Sequence, residues 1–169
     1  MRLFLIALLS LSCFAGRPDD VHGWDRVNWN MTLAEVSAVY RPTEPATRSQ
    51  YGINQPIPSV HVGEIVMRAS VSTGASTENA SQVVMLSVFG QPASDPRASA
   101  SDFETLKSLL IEKYGHPTTE ETHIERGVKS VTWIFPSTTI NLEITGAESN
   151  HGYIVLIYSA TDHKALDAL

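Results

Sequence analysis

The sequence predicts an α+β fold: a mainly antiparallel sheet of about five strands carrying two helices, in the order α-β-β-α-β-β-β. Three observations predict it. Phe103, Leu106, Leu110 and Tyr114 recur at spacings of three, four and four, which line one face of a helix. Thr138–Thr145 alternates without a break, with Ile140, Leu142 and Ile144 on one side and Thr139, Asn141 and Glu143 on the other. Tyr153–Tyr158 is apolar almost throughout, as expected of a central strand buried on both faces.

Met1 to Ala15 reads as a secretory signal. Arg2 precedes an apolar run, Leu3 to Phe14, of roughly twelve residues, too short to span a bilayer and suited to a signal core. Cleavage near Ala15 places the mature protein in the periplasm or outside the cell. A lipid anchor at Cys13 is not expected, because Ser10-Leu11-Ser12 lacks the Leu that a lipoprotein signal places before its Cys. With Cys13 in the signal, the mature chain has no thiol for disulfides or nucleophilic chemistry. The whole chain carries 12 basic and 18 acidic residues, net −6; losing Arg2 leaves 11 against 18, net −7. That balance argues against nucleic acid as a partner. No second apolar run reaches spanning length. Residues 16–160 are expected to form a single domain, followed by a tail, 161–169, with at most a frayed helical turn.

Within the domain, Trp24, Val27 and Trp29 mark a short bulged first strand. Thr32-Leu33-Ala34-Glu35 is a capping box, and Leu33, Val36, Val39 and Tyr40 continue a helical face that Pro42 ends. Arg41 to Ser59, with four prolines, reads as a long irregular connection. It is either a stiffened crossover or a partner-binding loop presenting Tyr51, Ile53 and Ile57. Val60–Val71 reads as a strand that changes phase at Gly63-Glu64, the pattern of a bulge, and pairs with Val83–Phe89 across a polar turn. Ser101-Asp102-Phe103-Glu104 predicts a second capping box, and Gly115 with Pro117 predicts the stop of that helix. Lys129–Phe135 and Thr138–Thr145 are joined at Pro136-Ser137. Capped helix followed by strands occurs twice, but with unequal strand counts.

Chemistry-bearing motifs are sparse. The six histidines form no close ligand pair of the kind zinc sites use. There is no Gly-x-Ser-x-Gly and no phosphate-binding glycine loop. Glu120-Glu121 and Asp19-Asp20 are adjacent acids that read as solvated turns. Neither a cofactor, a metal nor an enzymatic activity is expected. Trp24 and Trp29 are the aromatic candidates for a binding surface, together with Tyr51, Ile53 and Ile57; Trp133 alternates with core-facing residues and is expected to be buried.

Trp29-Asn30-Met31-Thr32 followed by Glu35-Val36 resembles the opening of small uncharacterised exported bacterial proteins. It is distantly similar to outer-membrane assembly lipoproteins (the BamE-like fold) and to β-lactamase-inhibitor-like domains, which place Gly-Met-Thr before a first helix. Asn30 stands where those families have Gly. Leu109 with Tyr114-Gly115-His116-Pro117, and the Trp133 strand before Ile140-Asn141-Leu142, resemble later parts of such exported families. The resemblance implies an exported α+β binding protein and carries no catalytic residue. The expectation is therefore a non-catalytic module that binds a protein partner in the cell envelope. A small-ligand carrier and an exported hydrolase acting on wall or glycan stay open beside it.

Overall fold

The structure, a computed structural model, describes residues 17–74, 79–87, 100–146 and 153–162. Residues 1–16, where a signal is expected and which include Cys13, most of the stretch before the second helix and the end of the expected tail lie outside the described residues. A two-stranded hairpin comes first, β1 (Gly23–Trp24) and β2 (Val27–Asn28). Helix α1 (Leu33–Val39) follows, then β3 (Thr47–Ser49), β4 (Gly52–Val62), β5 (Ile65–Thr73) and β6 (Ala80–Ser87). Helix α2 (Ala100–Tyr114) leads into β7 (Thr119–His123), β8 (Val128–Ile134), β9 (Thr138–Thr145) and β10 (Tyr153–Ala160). The last eight strands form one antiparallel sheet in the order β3-β4-β5-β6-β10-β9-β8-β7.

The α+β class and the antiparallel sheet agree with the sequence. The expected five-strand sheet and its α-β-β-α-β-β-β order do not: the sheet has eight strands, with the β1–β2 hairpin separate. The irregular connection expected over Arg41 to Ser59 contains β3 and most of β4. Pro56 is tolerated there because β3 pairs with β4 only as far as Asn54, so beyond it β4 has no neighbouring strand on its outer side. Gly63-Glu64 is not a bulge but the turn of a hairpin, with Val62 paired to Ile65. The bulge lies earlier, where the register slips between Ile57 and Val60 around Pro58-Ser59. Glu120-Glu121, expected in a turn, lie in the edge strand β7. Trp24 and Val27 face each other across a tight hairpin turn at Asp25-Arg26 rather than sharing one bulged strand.

The helix signals behave differently at the two sites. At α1 the box forms in full. The Glu35 amide donates to Thr32 Oγ1 at 3.3 Å, and the Thr32 amide donates to Glu35 Oε2 at 2.7 Å. The bond from the Thr32 amide, and then that from the Thr32 hydroxyl at 2.9 Å, hold the Glu35 carboxyl below its ordinary pKa. Helix α2 begins at Ala100, so Ser101 stands inside its first turn rather than at the cap. Its stripe is as predicted: Phe103, Leu106, Leu110 and Tyr114 are all buried. Gly115, at φ 77°, takes the left-handed stop position and returns its amide to Ile111 O at 2.8 Å.

Both helices lie on one face of the sheet. Met67, Ala69 and Val71 of β5, Val131 and Trp133 of β8, Ile140, Leu142 and Ile144 of β9, and Ile154, Leu156 and Tyr158 of β10 complete the core. Each large apolar side chain withdrawn from water there contributes about 1.5–3 kcal/mol. The chain before β1 is stitched to the turn after β8. Ser137 donates its amide and its hydroxyl to the Asp20 carboxylate at 2.8 and 2.7 Å. Partial desolvation pushes the Asp20 pKa up, and the bonds from Ser137 and the Val21 amide outweigh it, so the carboxyl sits below its usual value.

The sheet divides into two equivalent halves, which the unequal strand counts read from the sequence did not reveal. Helix α1 with β3–β6 and helix α2 with β7–β10 are each a helix followed by a four-stranded meander, and the two final strands meet at the centre. Matching β6 to β10 end for end pairs Val84 with Ile157, and these two residues are themselves register partners. A pseudo-twofold axis thus runs between them, normal to the sheet. Carried outward through the register, it equates Val71 with Leu142 and Ile57 with Trp133.

Candidate functional site

A cleft with a volume of about 600 Å³ lies at the end of α1. Three irregular pieces of backbone form it: the Asp25-Arg26 turn, the C-terminal end of α1 at Tyr40-Arg41, and the Pro58-Ser59 bulge of β4. Val39 and Val60 complete the wall. Bulges re-aim side chains and commonly occur beside binding sites.

The side chains are held by one another. The Trp24 and Tyr40 rings stack, centroids 6.0 Å apart and planes inclined by 23°. The Arg26 guanidinium lies over the Tyr40 ring, 4.7 Å from its centroid. The Tyr40 hydroxyl donates to the Asp25 carboxylate and accepts from the Arg26 amide at 3.4 Å. Partial burial, and then the bond to Asp25, push the Tyr40 pKa up, so the phenol stays a neutral donor. Asp25 adopts φ 49°, a left-handed conformation that Asp tolerates better than most residues. Arg26 Nε is 3.6 Å from the Asp25 carboxylate, whereas the exposed Arg41 has no hydrogen-bond or ion-pair partner among the described residues. Two cations and one anion line a cleft on a chain of net charge −6.

The five residues singled out from the sequence do not converge. Trp24 is a wall of the cleft. Trp29 is a pin: its indole N–H donates to Thr138 Oγ1 at 2.8 Å, fixing the segment before α1 to β9. Tyr51 stands 77% exposed at the β3–β4 tip. Ile53 is half-buried in β4 and donates its amide to Thr73 Oγ1 at 3.0 Å. Ile57 is a core residue, 3% exposed. Trp133 is fully buried, as its alternation predicts, with its indole N–H on Gly115 O at 2.8 Å. Sequence reasoning missed Arg26, Tyr40, Arg41 and Val60 as a group; Arg41-Pro42 marked only a helix end, and nothing local couples it to Val60.

The opposite face of the sheet is a second candidate. Register places Pro56 (β4), Arg68 and Ser70 (β5), Gln82 and Val84 (β6), Val155 and Ile157 (β10), Asn141 and Glu143 (β9) and Thr132 (β8) on the face turned away from the helices. Among the described residues no helix or strand packs on it, although Val155 at its centre is only 9% exposed. A shallow hollow of about 450 Å³ sits at its β4–β5 side, with Arg68 and Glu44 in its lining.

Among the described residues, no group of three or more His, Cys, Asp or Glu side chains is placed to hold a metal ion, and no helix is long and apolar enough to cross a membrane. Comparison with family models, curated proteins and solved structures finds no match to this chain.

Proposed function

We propose that the protein is an exported, non-catalytic module that binds a protein partner in the cell envelope through the uncovered face of its sheet. The extent of that face carries the reading. Eight strands spaced about 4.8 Å apart, most of them about 25 Å long, present roughly 900 Å². A standard protein interface takes about 800 Å² from each partner, so the face is large enough for one. Its pattern supports the same reading. Val84 and Ile157, both half-buried, form an apolar centre on the pseudo-twofold axis beside the buried Val155, ringed by Ser70, Gln82, Asn141, Thr132 and Arg68. The signal-like N-terminus and the Trp-x-Met-Thr-x-x-Glu-Val opening, similar to exported bacterial binding proteins, support the location.

The test is capture from envelope extract with the wild-type protein and with the Ser70→Arg/Asn141→Arg variant. Both positions are polar and half-buried on that face; the variant gives up the Asn141 Nδ2 to Thr132 Oγ1 bond at 3.0 Å, and its thermal midpoint is expected to fall by no more than about 4 °C. One partner retained near stoichiometry by wild type and lost by the variant is the expected result. Equal retention by both proteins, or no partner with and without crosslinking, refutes the reading. The cleft at the end of α1 favours a second reading, a small-ligand carrier, because its volume lies within the range of small-molecule sites.

A further inference from the structure

The two halves of the sheet show why the cleft is open. In the second half the helix-ending Tyr114 is buried. Phe135 packs against its ring at 5.8 Å and Tyr158 at 6.3 Å, both edge-on. Trp133 closes the helix end through Gly115, and the Arg17 guanidinium lies 4.8 Å over Phe135 as a lid. The corresponding helix-ending residue in the first half is Tyr40. Register equates Trp133 with Ile57, and Phe135, backbone-bonded to Thr138, with Val60, which pairs with Met67 across the bulge. An isoleucine and a valine stand where the other half has a tryptophan and a phenylalanine. Of these two only Val60 borders the cleft, so the space that Phe135 fills beneath Tyr114 is the one left open beneath Tyr40, with Trp24 and two arginines around it.

We infer that this cleft binds a small, flat, apolar molecule bearing one anionic group, its ring lying against Trp24, Tyr40 and Val60 and its anion facing Arg41 and Arg26. The aromatic body follows from what fills the matching space in the other half. The charge follows from the lining: Arg26 is partly neutralised by Asp25, and Arg41 has no partner among the described residues. A guanidinium fits carboxylate and phosphate alike through paired N–H donors. The assignment rests on the ligand-binding reading and is independent of the sheet face.

The experiment is a titration of ¹⁵N-labelled protein with 2-naphthoate, 2-naphthyl phosphate and the neutral 2-naphthalenemethanol, followed through the three indole N–H signals. Saturable movement of the Trp24 signal, with Trp29 and Trp133 still, is expected for both anions, and at least tenfold weaker binding for the alcohol. Which anion binds more tightly identifies carboxylate or phosphate as the natural group. Arg41→Gln, at an exposed position, weakens the anions about tenfold and leaves the alcohol unchanged. Val60→Phe, which restores the residue found in the other half, abolishes binding of all three. No saturable Trp24 shift at millimolar ligand, equal affinity for the alcohol, or an Arg41→Gln variant that binds like wild type overturns the assignment. Partner capture by Arg41→Gln at the wild-type level separates this site from the sheet face.

Discussion

Thr138 is the residue whose loss has the most legible consequence. It is fully buried at the start of β9, accepts from the Trp29 indole at 2.8 Å and donates to the Val21 carbonyl. One hydroxyl thus ties two points before α1 to the sheet. Thr138→Val keeps shape and volume but removes both bonds. An orphaned buried polar group costs about 1–3 kcal/mol. Because Trp29 and Val21 are only half-buried, water recovers part of each loss, and the expected destabilisation is about 2 kcal/mol. In urea, that lowers the unfolding midpoint by about 1 M. Thr138→Ser keeps both bonds, loses one methyl and costs about 1 kcal/mol. Urea denaturation of the three proteins, followed by tryptophan fluorescence, measures the difference. A Thr138→Val protein within about 0.5 kcal/mol of wild type, or no more affected than Thr138→Ser, refutes the argument that the hydroxyl pins this segment.

Two further outcomes follow from local chemistry. The Asp20 carboxyl has its pKa lowered in the folded protein, so its contribution to stability is present above the unfolded carboxyl value, near 3.8, and is lost as pH falls through the lower folded value. Asp20→Asn is expected to flatten the acid limb of the stability-against-pH curve below about pH 5; an unchanged limb sinks the assignment. Asn30 adopts φ 86°, where glycine is free and β-branched residues are strained. Asn30→Gly is expected to be nearly neutral, and Asn30→Val to cost about 1–2 kcal/mol by thermal unfolding.

Asn30 takes a left-handed step two residues before the α1 cap at Thr32, a step that Gly and Asn both suit. What was legible in the sequence was what burial writes into a chain. The α2 stripe, the alternation of β9, the apolar run of β10 and the Thr32 box all appear where expected. What was not legible were the margins. Strand β7, Thr-Glu-Glu-Thr-His, and strand β3, Thr-Arg-Ser, are polar edges with no strand on their outer sides, and an edge strand needs no hydrophobic side to be stable and is safer with charge. Prolines concealed β4, since Pro56 and Pro58 contradict a central strand but not one lying beyond the end of its neighbour and broken by a bulge. With those strands missing, the equality of the halves was hidden. The cleft was hidden with it, because Trp24 meets Tyr40 and Val60 only through the register of a sheet that had been undercounted.

The seam between β6 and β10 sets the order in which such a chain can assemble. Each meander is made of hairpins whose partners are near in sequence, so each half can collapse with little loss of chain entropy. The seam joins Val84 to Ile157, roughly seventy residues apart, and closing so long a loop is repaid only when both partner strands are already in place. This topology predicts two fast local events followed by one slower docking, and φ-values near zero at Val84 and Ile157 are the expected outcome. Contacts made only at docking govern how long the folded protein lasts more than how quickly it forms. That division places speed in the halves and endurance in the seam.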